Sequence, residues 1–323
     1  MSDAFAKLVS EIPRIGVDWH REAILGNSRR NAAHAGRAVR GIVQENRDVI
    51  VVSAGPSLYK RDMLRRIACL RKPVCVVATD GSYVQCLRAG YVPSYTLTLD
   101  PHPTRIVRWF GDPEFAANSA ADDYFARQDL DEAFRADSAK QNARNMTLVD
   151  TFAPQSKLVI CSTAPENVVR RTSAFDRYWF APLVDNPALP GSLTREIAEV
   201  TRLPAMNTGG TVGTAAVMFA LCVLKARRIA VVGMDLGYAA DMPLERTQSW
   251  NMLKGRKDVA DLYPRVQHPQ WGECYTDATY AWYRQNLLAL LKSAGITLYN
   301  CTEGGALFGP HVECTTIEEW ARG

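Results

Sequence analysis

Two loops of small and hydroxyl-bearing residues have the composition of a phosphate- or nucleotide-binding site. The first, at residues 53–58, contains Gly55, Pro56 and Ser57 between an apolar run and a helical pattern. Glycine lets the backbone approach a ligand, proline suits a helix start, and Ser57 can cap a helix whose free N–H groups attract anions. The same residues would also make an ordinary strand-to-helix turn. They match neither a Walker A loop nor the dinucleotide fingerprint, which disfavours P-loop and NAD chemistry.

The second loop, at residues 207–214, contains Thr208, Gly209, Gly210 and Thr211 and also leads into a helix. The N–H groups and threonine hydroxyls of such a loop can cradle a phosphate or a ribose. Close packing of the helix on a sheet would explain the glycines equally well. On the binding interpretation, we expect Gly210→Val to block the ligand while the fold stays intact.

Three aspartates and two histidines are candidates for binding or acid–base chemistry. Asp80, Asp100 and Asp235 each come directly after a predicted strand, where a carboxylate can hold a ribose hydroxyl or a metal, or simply stabilise a turn. His102 and His268 are candidate general bases, although a loop histidine is otherwise a surface residue. We prefer His268, which we place on a flexible polar loop, because prolines stiffen the backbone on both sides of His102. Asp100 and Asp235 are the further candidates for the base, and the histidines lack the spacing of a metal site.

Strands and helices alternate along most of the chain. Apolar runs predict strands at residues 48–53, 74–78, 95–99, 157–161, 176–181, 228–233 and 296–300, and helical spacing predicts helices after most of them. This alternation predicts an α/β fold with a doubly wound, mostly parallel sheet. Ligands of such sheets bind beyond the carboxyl ends of the strands, which is where the first loop and all three aspartates fall.

The first 46 residues differ from the rest of the chain. They show helical spacing and no strand-like run, so we expect a short helical N-terminal extension at residues 1–46. Residues 47–323 would then form one nucleotide-binding catalytic domain. Within it, a polar stretch at about residues 104–146 interrupts the alternation and predicts a helical insertion.

Composition excludes several classes of protein. The 323 residues are 47% apolar with a formal net charge of +4, which excludes a disordered chain and gives no reason to expect a nucleic-acid partner. The eight cysteines lie mostly in apolar runs, as thiols do in a reducing cytosol. There is no signal-peptide pattern, and the longest apolar stretch, residues 215–224, is too short for a transmembrane segment. We therefore expect a cytoplasmic protein.

In this order the motifs resemble a known family. It includes the motility accessory factor (Maf) glycosyltransferases and the MptE-like 6-hydroxymethylpterin diphosphokinases, and it is similar in structure to the sialyltransferases of glycosyltransferase family 42. The residues that carry the resemblance are 54–58, 90–101, 207–213, 232–238, 275–277 and 299–306.

The resemblance implies a Rossmann-like domain that binds a nucleotide, which is a CMP-sugar in the sialyltransferase relatives. The loops around Gly55 and Gly210 would then hold the CMP, and Asp235 and Tyr238 would lie near its phosphate or sugar. The relatives use a histidine base near the position of His268. The implied activity is that of a glycosyltransferase-like enzyme, which transfers a nucleotide-activated sugar such as a CMP-nonulosonate to a hydroxyl of a protein or glycan.

Two alternatives remain open at this point. An ATP-dependent pterin diphosphokinase would need Mg²⁺ between the phosphates, and Asp80 and Asp100 would be its ligands. A nucleotide-binding protein without catalytic activity is the third interpretation. No cofactor other than Mg²⁺ is expected.

Overall fold

A ten-stranded parallel sheet forms the centre of the molecule, in a computed structural model that describes residues 2–34, 36–121, 132–247 and 249–323. Its strands are β1 (Arg37–Ala38), β2 (Val49–Val52), β3 (Cys75–Thr79), β4 (Tyr95–Thr98), β5 (Lys157–Cys161), β6 (Asp176–Leu183), β7 (Ala205–Asn207), β8 (Ile229–Val232), β12 (Leu298–Asn300) and β13 (Val312–Cys314). Three more strands form a separate antiparallel sheet in the order β10-β11-β9: β9 (Tyr238–Ala239), β10 (Arg265–His268) and β11 (Gly272–Tyr275).

Helices follow most strands of the large sheet. They are α1 (Asp3–Ala32), α2 (Ser57–Lys60), α3 (Met63–Ala68), α4 (Asp80–Arg88), α5 (Phe115–Ala121), α6 (Glu132–Phe152), α7 (Glu166–Arg171), α8 (Leu193–Thr201), α9 (Val212–Cys222), α10 (Trp250–Leu253), α11 (Ala278–Ala294) and α12 (Ile317–Arg322). Short 3-10 helices lie at Val39–Gly41, Ile106–Phe110, Ala153–Gln155, Leu244–Arg246 and Val259–Leu262.

The large sheet is covered by helices on both faces. Alternate residues of β2 show this directly, because Val49 and Val51 pack with α9 and α11 while Ile50 and Val52 pack with α2 and α3. All four side chains are fully buried. Burial on both faces is the reason that these strands appear in the sequence as continuous apolar runs.

The order of the strands places a topological switch in the middle of the sheet. From β2 the chain builds outward through β3, β4, β5 and β6, and it then returns to add β8 and β12 on the other side of β2. The register pairs Val49 with both Cys75 and Ile229, so the three central strands end at the same level. The crevice beyond β2 and β8 is therefore the place where a ligand of this fold would bind.

The predicted α/β class and mostly parallel sheet are confirmed, and the predicted strands lie within a few residues of their expected positions. Most of residues 1–46 is helical, as expected, but Arg37–Ala38 is a short strand that pairs with β6; the domain boundary at residue 46 remains a prediction. The strands β7, β9, β10, β11 and β13 were not predicted, since none of them contains the continuous apolar run by which the central strands were recognised. Of the expected insertion, residues 122–131 lie outside the described part of the chain; its described residues form α5, most of α6 and a 3-10 helix.

Helix α1 connects distant parts of the carboxyl edge, which is the edge of the large sheet at the carboxyl ends of its strands. Phe5, Leu8, Val9 and Ile12 recur at helical spacing and pack against a cluster that includes Tyr275. Farther along the helix, Asn27, Ser28 and Asn31 bond to residues 162–164, directly after β5. The helix thus spans from the small sheet to the end of β5.

Two observations bear on the expected location of the protein. No helix within the described ranges is long and apolar enough to cross a bilayer. The eight cysteines are unpaired thiols, of which Cys69 and Cys222 are exposed and the others are buried or partly buried. A cytoplasmic location remains a prediction.

Asn31 should be important for the docking of α1. Its side chain is 1% exposed, and Nδ2 donates to the carbonyl oxygens of Ser162 and Ala164 at 2.8 and 2.7 Å. We expect Asn31→Ala to lower the free energy of unfolding by about 2–3 kcal/mol, because two buried carbonyl groups lose their donor. Arg29→Ala, which removes an exposed ion pair with Glu196, should cost less than about 1 kcal/mol in the same chemical denaturation experiment. Equal losses in the two variants would contradict this role.

Candidate functional site

The loops after β2 and β8 meet at the switch point. Ser57 donates from Oγ to Asp235 Oδ2 at 2.7 Å, and its N–H lies 3.4 Å from the same oxygen. A Cβ atom on Gly55 would overlap with Asp235 Oδ2 and would lie 2.5 Å from the Gly233 carbonyl oxygen. Glycine is therefore required at position 55. The structure brings together the residues Gly55, Ser57 and Asp235 that sequence reasoning had selected separately.

The environment of Asp235 favours its protonated form. Burial raises the pKa of this carboxyl to about 6, although the hydrogen bonds from Ser57 and the charge of Lys60 act in the opposite direction. Asp235 can thus change its protonation state near neutral pH.

The first loop is less open than its sequence suggested. Gly55 N–H donates to the Gly233 carbonyl at 2.8 Å, Pro56 has no N–H, and Ser57 is bonded to Asp235. The helix that follows, α2, has only four residues. These donors stabilise the contact between the loops, which differs from the free anion site that we expected here. A role of Gly55, Pro56 and Ser57 in nucleotide binding remains a prediction.

The second loop leads into a helix whose N-terminus is open. Gly209 and Gly210 have positive φ angles of 58° and 86°, and Gly209 N–H donates to Asn207 Oδ1 at 2.9 Å. Among the described residues the Thr211 side chain makes no capping hydrogen bond to α9, which has 11 residues. Within the described ranges, the first-turn N–H groups of α9 therefore have no side-chain cap, which is the arrangement of an anion site.

Two buried hydroxyls beside this helix also lack partners. Ser53 Oγ and Thr214 Oγ1 have no hydrogen-bond acceptor or donor in the described part of the chain, and their residues are 8% and 0% exposed. Ser53 Oγ would lie 2.9 Å from a Cβ on Gly213, so it is next to the first turn of α9. Buried polar groups are normally paired, and these two mark a place where a ligand or water would be stabilised.

Aromatic residues of α11 pack on Gly210. A Cβ there would overlap with the Trp282 ring and would lie 3.1 Å from Tyr283 Cε1. Gly210→Val would therefore disturb the fold itself, so the expectation that this variant keeps the fold intact is wrong. Burial raises the pKa of Tyr283, and the nearby charges of Asp100 and Asp277 raise it further.

Asp80 and Asp100 follow neighbouring strands, and the charge of Asp100 acts on Asp80. Asp80 is 5% exposed; its two oxygens accept from Gly81 N–H at 2.7 Å and from Thr98 Oγ1 at 2.9 Å. Burial, with a smaller contribution from the charge of Asp100, raises the pKa of Asp80 to about 7 in spite of those two hydrogen bonds. Asp100 is exposed, and its Oδ1 accepts from His102 N–H at 2.7 Å.

His102 lies partly exposed beyond β4. Its Nδ1 is 3.2 Å from Thr104 Oγ1 and 3.3 Å from Thr104 N. The ring of His20, on α1, approaches it edge-on with 6.5 Å between the ring centroids. Helix α1 thus brings a second histidine to the carboxyl edge, which no sequence signal indicated.

His268 does not lie on a flexible loop, so this expectation is wrong. It is the last residue of β10 and is 2% exposed. Nδ1 accepts from the N–H groups of Gln270 and Trp271 at 3.1 and 3.2 Å, Nε2 is 3.6 Å from Cys314 Sγ, and the ring stacks on Trp271. Burial lowers its pKa. Both nitrogens are engaged by the protein, which is the environment of a structural histidine.

Tyr238 is also part of a buried polar network. Its hydroxyl donates to Asp277 Oδ2 at 2.7 Å, and Ser249 Oγ donates to the same oxygen at 2.7 Å. Asp277 Oδ1 accepts from Tyr280 N–H and caps α11. This network orients α11 against the small sheet; contact of Tyr238 with a phosphate or sugar remains a prediction.

Comparisons with known proteins agree with the resemblance. Residues 22–114 match the family model described as 6-hydroxymethylpterin diphosphokinase MptE-like. The fold is similar to the solved structure of a Maf glycosyltransferase from Magnetospirillum magneticum AMB-1, with a TM-score of 0.55 and 16% sequence identity. That alignment covers 93% of this chain and 38% of the other, so this chain spans well under half of that protein. No curated protein matches the sequence.

The two matches confirm the resemblance, each in one respect. The family model matches residues 22–114, under a third of the chain, and the solved structure shows a similar α/β fold. The family model ends at residue 114, so it includes the first loop, Asp80 and Asp100 but not the second loop.

Asp80→Asn should stabilise the protein at alkaline pH. The carboxyl has a higher pKa in the folded state than its ordinary 3.8, so its contribution to stability is greatest at acidic pH and is lost as the pH rises to about 7. The side chain of Asp80→Asn is neutral at every pH, so the variant does not lose stability by this ionisation. We therefore expect the melting temperature of the variant, relative to that of wild type, to be higher at pH about 8 than at pH about 5. The corresponding gain in the free energy of unfolding is on the order of a few kcal/mol.

The matched control is Asp185→Asn. Burial raises the pKa of Asp185, but hydrogen bonds from Ser192, Leu193 and Thr194 outweigh it and hold the pKa below its ordinary value. Both test conditions lie above that pKa, so the difference between this variant and wild type should be the same in both. A parallel pH response of the two variants would contradict the assignment to Asp80.

Proposed function

We propose that the protein is a glycosyltransferase-like enzyme that binds a nucleotide-activated sugar at the carboxyl edge of its sheet. The observation that carries this proposal is the N-terminus of α9 behind Gly209 and Gly210, where, among the described residues, no side chain caps the helix and the hydroxyls of Ser53 and Thr214 have no partner. A phosphate would accept hydrogen bonds from the α9 N–H groups and interact favourably with the helix dipole. The fold shared with a Maf glycosyltransferase supports a sugar nucleotide over other phosphorylated ligands.

The chemistry is a substitution at the anomeric carbon of the donor. An acceptor hydroxyl, on a protein or a glycan, forms the new C–O bond while the bond from the anomeric carbon to the phosphate oxygen breaks. The departing nucleotide keeps the electron pair, and a base receives the hydroxyl proton. The α9 N–H groups and Thr211 would stabilise the charge on the leaving phosphate. We favour a CMP-nonulosonate as the donor, and a cytoplasmic enzyme without a nucleic-acid partner.

We propose His102 as the base in preference to His268. Its ring is partly exposed beyond β4, and its backbone N–H donates to Asp100, which orients the segment. Both ring nitrogens of His268 have partners within the protein, so neither is available to accept a proton from a substrate. Asp100 is the alternative base because its carboxylate is exposed at the same edge.

A diphosphokinase is the second candidate, and the family-model match over residues 22–114 favours it. Such an enzyme would use Mg²⁺ with ATP. Within the described ranges, no group of three or more His, Cys, Asp or Glu side chains is arranged to hold a metal ion. Both oxygens of Asp80 accept hydrogen bonds from the protein, so Asp100 is the better ligand for Mg²⁺. One carboxylate fits a cation that arrives with the nucleotide phosphates.

A thermal-shift panel with CMP, CDP, UDP, GDP and ATP, each with and without Mg²⁺, separates these functions. A ligand of the folded state raises the melting temperature by mass action. We expect CMP to stabilise the protein without Mg²⁺. Thr211→Val keeps the shape of the side chain and removes its hydroxyl, so it should weaken CMP binding roughly 5- to 10-fold without changing the melting temperature of the free protein.

The other outcomes each decide against the proposal. Stabilisation only by ATP with Mg²⁺ would support the diphosphokinase. A protein that no nucleotide stabilises would rule out both enzymes. Equal CMP affinity of Thr211→Val and wild type would move the phosphate away from α9.

Variants of the two histidines test the base. With CMP-sialic acid as donor and release of CMP as the signal, His102→Gln should reduce turnover by roughly 10²- to 10⁴-fold while the protein stays folded. His268→Ala should instead lower the free energy of unfolding by about 2–4 kcal/mol, because it removes a buried ring and an acceptor for two N–H groups. If His102→Gln retains full turnover, Asp100→Asn is the variant to compare next.

A further inference from the structure

Trp109 presents an indole to solvent at the same edge of the sheet. It lies in the 3-10 helix Ile106–Phe110, close behind Asp100 in the sequence, and it is 41% exposed. Single exposed apolar side chains are common on protein surfaces. The neighbours of Trp109, rather than its exposure alone, point to a function.

Gly81 connects the indole with the first loop. A Cβ on Gly81 would lie 2.8 Å from Ala54 Cβ and 3.7 Å from the Trp109 ring. Gly81 is the second residue of α4, and Ala54 directly precedes Gly55. The glycine therefore lets the loop after β2 and the indole approach the same point, so the exposed residues Ala54 and Trp109 are neighbours on one apolar surface.

This surface and the open N-terminus of α9 lie on opposite sides of the carboxyl edge. Helix α4 packs on the face of the sheet that carries Leu158 and Ile160, whereas α9 packs on the face that carries Val159. A ligand that binds both must cross the ends of the central strands. A nucleotide has the two chemical parts that this requires, namely a flat base and a phosphate.

We propose that Trp109 is the stacking platform for the base of the bound nucleotide. This inference rests on the proposed function, because it assumes a nucleotide with its phosphate at α9. A planar base offers a π-face to the indole, and stacking of a base on an aromatic side chain changes affinity by about 5- to 100-fold. A sugar phosphate without a base has no such face and gains nothing from the indole.

The experiment compares wild type with Trp109→Ala, Trp109→Phe and a control, Tyr59→Ala. Tyr59 is 58% exposed, and the groups whose charges act on its hydroxyl are Cys86 and Arg88 in the last turn of α4, whereas Gly81 is in the first turn. Affinities for CMP and ATP are measured by calorimetric titration, and ribose 5-phosphate is tested by thermal shift. We expect Trp109→Ala to weaken nucleotide binding about 5- to 100-fold, and Trp109→Phe to retain most of it. Tyr59→Ala should bind as wild type does, and the response to ribose 5-phosphate should be the same in all four proteins.

Three results would overturn the inference. If Trp109→Ala binds CMP and ATP as tightly as wild type, the base lies elsewhere, while the proposed function survives. If Trp109→Ala loses the nucleotide and ribose 5-phosphate to the same extent, the indole supports the site as a whole and does not contact the base. If wild type binds neither nucleotide, the proposed function fails and the platform with it.

Discussion

Three glycines allow the loops after β2, β8 and β12 to come into backbone contact, and the candidate site depends on that contact. A Cβ on Gly55 would overlap with Asp235, one on Gly233 with the Ser53 carbonyl, and one on Gly305 with the Asp235 carbonyl. Gly233 and Gly305 also have positive φ angles of 67° and 75°, which other residues rarely adopt. Asp235 is therefore held by the main chain of two other loops, and its carboxylate is directed to Ser57 before any ligand arrives.

Burial gives this edge of the sheet two carboxyl groups that titrate near neutral pH. The pKa of Asp235 rises to about 6 and that of Asp80 to about 7, in each case mainly because the ionised form loses its hydration. Such groups reduce the stability of the protein at the pH where they ionise. An anion bound nearby would raise both pKa values further, since like charges disfavour ionisation. Binding of a phosphate and protonation of these groups should therefore be coupled.

Helix α1 makes the N-terminal region part of the site's surroundings. Its apolar first half packs on the small sheet, and Asn31 holds the end of β5. Between these two anchors it brings His20 to His102. The match to the MptE-like family begins within this helix, at residue 22, and the similarity to the Maf glycosyltransferase fold covers 93% of the chain. A boundary at residue 46 would thus separate residues that the fold uses together.

The sequence by itself determined the α/β class, the central strands and the two loops, because buried parallel strands appear as apolar runs and the turns after them need glycine and hydroxyl residues. Only the tertiary structure decided which loop is open. The N–H group of Gly55 is used by Gly233, which closes the first loop, whereas Gly210 is exposed and only its Cβ position is taken by Trp282; both contacts join residues far apart in the chain. The same holds for His268, which looked like a loop residue until β10 paired with β11 and Cys314 packed against it. Local patterns report the periodicity of burial, whereas the availability of a donor or a ring nitrogen depends on partners that only folding brings together.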